Sequence, residues 1–367
     1  MRIAQSIVGA IAASLLGVAA PLTAWAHDAS QTLSEPEADR ELNDIFQRGR
    51  NLVDANRFSE ALALYQHASS LASDNPRIFS AIGYLEAIQS NFPAAATAFQ
   101  QAIALDTRNA AYSYAYAYSL ANAGDNAGAA AAYRRTIELE ATNVNAYLGL
   151  GVVALRQQDY DGAIAAFRQV IALAPTNAIA YQALGILLIQ QGQLAEATQI
   201  FQQVIALTPR DATARLNLGI AWLSQGNVAE AIAAFEQAAQ LDPANGMVRL
   251  QIGSILQAQG NVEEALQAYQ QAVRLQPDLV EARKAIADIL MEQQNTLMAI
   301  VEHRQVIALA PQDASSYYHL GVALRDRGRM AEAIAAFEQA HSLFQQQGNQ
   351  DAVQQIELIL RNLQGSG

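Results

Sequence analysis

The sequence predicts an all-α fold, a solenoid of antiparallel helical hairpins stacked along the chain. The pattern of residues 178–211 stands again in residues 144–177 and 212–245, which gives a period of 34 residues. Within each copy, apolar residues recur twice at helical spacing, with a short polar turn between the two runs. One hairpin cannot bury both of its faces, so we expect neighbouring copies to pack against each other.

Residues 178–211 show how one copy specifies a hairpin. The two apolar runs are Tyr181, Leu184 and Leu188, and then Ala197, Phe201 and Ile205. Gln191-Gly192-Gln193 lies between the runs and predicts the turn. Pro209 follows the second run. Because proline lacks an N–H and disfavours a helical residue before it, we expect the second helix to end just ahead of Pro209.

The same frame extends over residues 42–347, which hold nine repeats of 34 residues. After Gly348 the chain carries one further apolar stripe at helical spacing, made of Val353, Ile356, Leu360 and Leu363. We assign residues 348–367 to a C-terminal capping helix and tail, since the last hairpin of a solenoid needs its outer face covered.

The N-terminal segment differs in kind from the repeats. In residues 1–26, Arg2 precedes an apolar run without charge, and Ala24-Trp25-Ala26 offers a small-x-small cleavage site. We predict a signal peptide and export to the periplasm, with the thylakoid lumen or the extracellular space as alternative destinations. An uncleaved membrane anchor is the alternative to a signal peptide. Residues 27–41 are polar and acidic and predict a flexible lead-in.

The three central repeats carry the same residue types at matching positions. These are Leu150-Gly151, Leu184-Gly185 and Leu218-Gly219; Ala163, Ala197 and Ala231; Phe167, Phe201 and Phe235; and Pro175, Pro209 and Pro243. With the period of 34, this pattern resembles the tetratricopeptide repeat family. The resemblance implies a right-handed superhelical solenoid. It also implies that the first helix of each hairpin lines a concave groove for partners, through its second, fifth, ninth and twelfth positions.

Thirteen side chains at those positions form what we call the candidate groove. They are Tyr84, Tyr114, Tyr118, Leu148, Val152, Leu155, Ile179, Gln182, Ile186, Ile189, Leu216, Ile220 and Leu223. An exposed helix face would carry Glu, Lys or Gln at such places, and an apolar stripe that is open to solvent marks an interaction site. We predict that the candidate groove binds an apolar segment of another protein. Tight curvature or self-association that buries the stripe is the alternative.

Repeat eight, residues 280–313, departs from the pattern. Ala287 replaces the glycine and His303 replaces the aromatic residue, so we expect looser packing and a half-buried His303. The groove face of its first helix carries Glu281, Lys284, Asp288 and Glu292, with His319 on the corresponding helix of the next repeat. Such residues could hold a divalent metal. A local ion pair between Lys284 and Asp288 explains most of the cluster, and we predict neither metal nor cofactor.

Charge and motifs exclude several functional classes. The net charge of −12 argues against nucleic acid and anionic membranes, which need a basic face. Absence of cysteine removes a disulfide framework and a lipid-modified N-terminal Cys. Gly149-Leu150-Gly151 resembles part of a dinucleotide fingerprint, but it falls inside a predicted helix with no preceding strand. We therefore predict a protein that is not an enzyme.

The family resemblance also implies ways of binding a partner. Its chaperone-binding members hold a C-terminal carboxylate with a clamp of Lys, Asn and Arg. Here Lys284 is the only lysine, and Asp288 stands where the clamp needs Asn, so we do not expect that mode.

We predict an exported, non-enzymatic scaffold or adaptor that binds a protein or peptide segment. The layout of export signal and repeats is also similar to that of the processing-associated tetratricopeptide proteins of the cyanobacterial periplasm. In that alternative the chain assists assembly of a photosystem-type membrane complex, and its acidic surface could carry manganese. A cell-envelope structural component that acts by self-association is a further alternative.

Overall fold

The structure is a computed structural model that describes residues 37–364. Over these residues the chain forms nineteen α-helices and no β-strand, so the prediction of an all-α fold of helical hairpins is confirmed. The predicted signal peptide lies outside the described residues. Helix α1 begins at Glu37, inside the segment that the sequence assigns to the lead-in.

The described residues up to Thr208 form the first of two compact units, which contains five hairpins. Its helices are α1 (Glu37–Asp54), α2 (Phe58–Leu71), α3 (Pro76–Ile88), α4 (Phe92–Leu105), α5 (Ala110–Ala123), α6 (Asn126–Leu139), α7 (Val144–Arg156), α8 (Tyr160–Leu173), α9 (Ala178–Gln190) and α10 (Leu194–Leu207). Consecutive helices of this unit pack against each other, and α5 also contacts the first helices of the hairpins on both sides, α3 and α7.

Residues from Pro209 form the second unit, with four hairpins and a final helix. Its helices are α11 (Ala212–Ser224), α12 (Val228–Leu241), α13 (Gly246–Ala258), α14 (Val262–Leu275), α15 (Val280–Glu292), α16 (Thr296–Leu309), α17 (Ala314–Asp326), α18 (Met330–Gln346) and α19 (Gln350–Gln364). Helix α19 packs on α18 and buries Val353 and Ile356, as the apolar stripe after Gly348 predicts for a capping helix.

An aromatic side chain closes each typical hairpin by packing on a glycine of the first helix. In repeat six a Cβ atom at Gly219 would lie 2.5 Å from the nearest ring carbon of Phe235, and Phe235 is fully buried. Gly185 and Phe201 have the same relation in repeat five, at 2.7 Å. The glycine therefore leaves the space that the ring fills, and any side chain there would displace it.

Asparagine or aspartate caps the first helix of most hairpins. Asn177 Oδ1 accepts a hydrogen bond from the backbone N–H of Ala180 at 3.0 Å, and Asp211 Oδ1 accepts one from Ala214 at 2.9 Å. Such a cap satisfies a backbone donor that the helix leaves without a partner. Repeat eight is different again, because Leu279 stands at the cap position before α15 and provides no such bond.

The second helices end at one position in the repeat with or without proline. Helix α10 ends at Leu207, two residues before Pro209, as predicted. Helix α4 ends at the equivalent Leu105, although no proline follows. In both cases the next residue, Thr208 or Asp106, has left the helical region, with φ of −130° and −136°. Proline therefore reinforces a helix end that the packing of the next hairpin already requires.

Candidate functional site

The thirteen side chains of the candidate groove all lie on first helices, but they differ in burial. In the first unit they are on α3, α5, α7 and α9, and in the second unit on α11. Val152 and Ile186 are 1% and 5% exposed in the first unit, and Leu155 is 5% exposed. Leu216 is 7% exposed in the second unit. These four side chains pack inside their units and offer no free surface to a partner.

The other nine side chains of the candidate groove are half-buried. They are Tyr84, Tyr114, Tyr118, Leu148, Ile179, Gln182, Ile189, Ile220 and Leu223. A half-buried apolar side chain contributes to packing and still presents part of its surface to solvent. The sequence pattern predicts one continuous stripe, whereas the structure shows buried and half-buried positions interleaved along it.

The tyrosines of α3 and α5 form the most distinctive part of the first unit's face. The Tyr114 ring lies 5.9 Å from the Tyr133 ring, and the Tyr118 ring meets Phe92 edge-on at 6.3 Å. Burial raises the pKa of Tyr114 to about 12, so its hydroxyl is neutral at physiological pH. Burial and the nearby Asp54 carboxylate also raise the pKa of Tyr84. These tyrosines are rings anchored by neighbours, with hydroxyl groups that can donate a hydrogen bond.

Lys284 of repeat eight pairs with a partner that the sequence did not suggest. Its Nζ lies 2.5 Å from Asp313 Oδ2, and not against Asp288. Asp313 stands before α17, where its other oxygen caps the helix by accepting from the backbone N–H of Ser316 at 3.1 Å. The expected Lys284–Asp288 pair is thus replaced by a pair between adjacent hairpins. Burial raises the pKa of the Asp288 carboxyl.

His303 is buried, 1% exposed, where we expected it half-buried. Its ring stacks on His319 with 5.6 Å between centroids and 10° between planes. Neither ring nitrogen has a hydrogen-bond partner among the described residues. Burial, followed by the charges of His319 and Lys284, lowers the pKa of His303 to about 4. Ala287, which stands at the glycine position of the repeat, is also fully buried.

Other features of the described part of the chain lie apart from the candidate groove. No three His, Asp or Glu side chains between residues 37 and 364 are placed to hold a metal ion. A depression of about 650 Å³ opens beside α1 and α2, and its polar lining includes the paired Arg57 and Glu60. In this same span, no helix has the length and apolar character needed to cross a bilayer.

Sequence reasoning missed two arginines that share the first-helix face with the tyrosines. Arg50 is at the ninth position of repeat one, and Arg77 is at the second position of repeat two. The guanidinium carbon of Arg77 lies 4.5 Å from the centroid of the Phe46 ring. Counting the groove positions through the first two repeats would have found both residues, because those positions are the ones used to select the thirteen side chains.

The fold and the first-helix face define a helical-hairpin repeat protein, a class that works by binding other proteins. The family model described as Tetratricopeptide repeat matches residues 46–114, 80–143, 114–178, 183–246 and 299–352. Two further models with the same description match residues 222–289 and 166–199. The chain belongs to the tetratricopeptide repeat family and is a protein-binding scaffold. These matches indicate no enzyme family.

Three solved structures illustrate what a structural comparison finds similar to parts of this chain. YrrB, described as a TPR protein with an unusual peptide-binding site, is 26% identical over 51% of this chain and 96% of its own, with a TM-score of 0.45. The MamA protein is 23% identical over 47% and 94%, with a TM-score of 0.44. A tetratricopeptide repeat protein from Parabacteroides merdae is 18% identical over 68% and 98%, with a TM-score of 0.47. A search of curated proteins finds no match.

Proposed function

We propose that the chain is an exported adaptor that binds an apolar segment of another protein along the first-helix face of its first unit. The observation that carries this proposal is the half-buried group of Tyr84, Tyr114 and Tyr118, which we call the tyrosine face. These tyrosines lie on α3 and α5, two helices that contact each other. The export step rests on the apolar run and cleavage pattern of residues 1–26.

Tyrosines held in this way suit protein recognition. A tyrosine offers a large contact area, has only two side-chain torsions to fix, and carries a hydroxyl for one directional bond. Contacts with Tyr133 and Phe92 already hold the rings of Tyr114 and Tyr118, so less conformational entropy is lost on binding. Aromatic anchors are the residues that most often dominate a binding interface.

The half-buried apolar residues of α9 extend this face within the first unit. Ile179 and Ile189 flank the buried Ile186 on that helix. A partner segment that covers the tyrosines and continues toward α9 would bury these isoleucines, which favours an extended or helical apolar peptide. Buried residues such as Ile186 act indirectly, by fixing the helices that present the face.

The experiment has to identify the partner and then test the tyrosines. A photo-crosslinking amino acid at position 118, in chain expressed in its native cell envelope, identifies what contacts this face. Calorimetric titration of the purified partner then compares the wild type with Tyr118→Ala. We expect Tyr118→Ala to weaken binding at least about tenfold, the loss typical of an aromatic anchor.

Leu297→Ala is the matched control, because Leu297 is an exposed apolar residue of the second helix of repeat eight. It should leave affinity unchanged. Thermal unfolding of both variants shows that each remains folded. If Tyr118→Ala binds the partner as tightly as the wild type does, the tyrosine face is not the binding site.

A further inference from the structure

Two arginines lie at the N-terminal end of the first-helix face. Arg50 is on α1 and Arg77 is on α3, at groove positions of repeats one and two. Within the described part of the chain, neither forms an ion pair with Asp or Glu, although acidic residues outnumber basic ones by 34 to 22 over the whole sequence. In a chain with this excess of carboxylates, two neighbouring arginines that form no ion pair among the described residues make a local cationic site.

The two guanidinium groups gather around one aromatic pair. Arg77 covers the face of Phe46 at 4.5 Å, and the Phe46 ring lies 5.8 Å from the Tyr65 ring. Arg50 follows Phe46 by one helical turn, and both arginine charges act on the Tyr65 hydroxyl. A cation–π contact holds Arg77 by its flat face and leaves the N–H groups at its edge available. The Arg50 guanidinium donates a hydrogen bond to the amide oxygen of Gln47, at 2.8 Å.

This cationic site continues directly into the tyrosine face. Arg77 is on the same helix as Tyr84, and its charge also acts on Tyr112 of α5. Helices α3 and α5 are in contact, and α5 carries Tyr114 and Tyr118. A bound segment would therefore meet arginine first and tyrosine next, within one unit of the structure.

We propose that the occupant of this face is an internal acidic-apolar segment of a partner protein. Its Asp or Glu side chains contact Arg50 and Arg77, and its adjacent apolar residues cover Tyr84, Tyr114 and Tyr118. This inference rests on the proposed function and names the partner's chemistry. The guanidinium edge matches a carboxylate with two parallel N–H···O bonds, which gives directional recognition.

Asp54 sets the direction in which such a segment binds. Asp54 is one turn beyond Arg50 on α1, and its charge acts on the Tyr84 hydroxyl. A carboxylate placed beside Tyr84 would be repelled by Asp54, whereas one placed beside Arg77 would be attracted. The acidic part of the segment therefore belongs at the Phe46 end, and its apolar part belongs over the tyrosines.

Selection from a phage library of random peptides, displayed inside a constant loop so that no free terminus takes part, tests the inference. We expect the wild type to select peptides in which Asp or Glu stands next to an apolar or aromatic stretch. Their affinity for the Arg50→Gln and Arg77→Gln double variant should fall at least about tenfold, and added salt should weaken only wild-type binding strongly. Replacing Asp and Glu of the selected peptides by Asn and Gln should lower their affinity for the wild type by the same factor.

The outcomes separate this inference from the proposed function. Selected peptides that are apolar without acidic residues, and that bind the double variant as tightly as the wild type, overturn the acidic occupant and leave the tyrosine face intact. If Tyr118→Ala leaves all affinities unchanged, or if no peptide is selected by the wild type or by the variant in which Asp28 and Glu35 are replaced by Asn and Gln, both proposals fail. Selection that succeeds only after Asp28 and Glu35 are replaced by Asn and Gln identifies the chain's own N-terminal segment as the occupant and overturns the partner assignment.

Discussion

At the scale of single residues, the pairing of one glycine with one aromatic ring governs how each hairpin closes. A methyl group at Gly219 would overlap the buried ring of Phe235, and the same holds for Gly321 and Phe337, at 2.8 Å. Alanine normally stabilises a helix over glycine by roughly 1 kcal/mol. The glycines are therefore kept at a cost in helix propensity, because the ring needs the space.

Repeat eight changes both members of this pair together. Ala287 adds a methyl group at the glycine position, His303 has a smaller ring at the aromatic position, and both residues are buried. The substitution adds a titratable group to the interior, since both ring nitrogens are buried without partners. Protonation would place a positive charge near His319 and Lys284, and among the described residues the Asp313 carboxylate opposes this effect.

We predict that repeat eight loses stability in acid because of His303. Its pKa in the folded chain is about 4, below the ordinary value of 6.5. Between these values the unfolded chain binds a proton that the folded chain excludes. The free energy of unfolding of repeat eight therefore has its full value above pH 6.5 and declines as the pH falls toward 4. At a pH of about 4.5 the loss should be roughly 2 to 3 kcal/mol.

Hydrogen exchange across α15, α16 and α17 measures this loss as the free energy of local opening. His303→Leu should remove the part of this acid-induced loss that comes from His303. The double variant Ala287→Gly with His303→Phe should do so too, because it restores the pair found in repeat six. Asp288 and other carboxyls titrate in all three proteins, so the difference between them isolates His303. Equal acid sensitivity in all three would assign the effect to the carboxyls.

At the scale of helices, the sequence predicts the elements well and their burial poorly. The period and the helical spacing of the apolar residues predicted the helical hairpins, and α19 lies over the apolar stripe that begins at Val353. Burial along the candidate groove could not be predicted, because a first helix packs against its own hairpin and against neighbours on both sides. Apolar residues therefore lie all around a first helix. Their spacing alone does not show that Ile186 is buried whereas Ile179 is half-buried.

We predict that α19 stabilises the second unit through one face only. Ile356 is fully buried and belongs to the cluster that includes Phe337 and Leu324, whereas Leu358 is 61% exposed on the same helix. Ile356→Asp would bury an unpaired charge and should destabilise α18 and α19 by more than about 3 kcal/mol.

Leu358→Asp introduces the same residue with the same helix propensity, and should cost less than about 1 kcal/mol. Limited proteolysis and hydrogen exchange of the α18–α19 segment compare the two variants. Similar protection in both would mean that α19 does not cover the last hairpin.

At the scale of the whole molecule, family and charge constrain function more than any single site does. Membership of the tetratricopeptide repeat family was predictable from sequence, because several positions recur together at one period. The occupant of the face was not predictable in the same way. Partner identity depends on side chains that packing does not require, such as Arg50, Arg77 and Tyr118, and the repeat pattern places no restriction on them.

Self-association is the alternative that competes most directly with an adaptor, since it would use the same face. We predict a monomer at neutral pH in low salt, because each copy carries a net charge of −12 and like charges oppose association. High salt screens this repulsion. The candidate groove itself contributes little free energy to dimer formation, because four of its thirteen side chains are already buried within their units.

Sedimentation velocity at two protein concentrations, in low and in high salt, measures the association state of the purified chain. A monomer in all four conditions supports the adaptor. A dimer that Tyr118→Ala dissociates would assign the tyrosine face to self-association and contradict the proposed function. A dimer that Leu297→Glu dissociates would instead place the contact on the exposed residues Leu297, Met298 and Val301 of α16, and would leave the tyrosine face free for a partner.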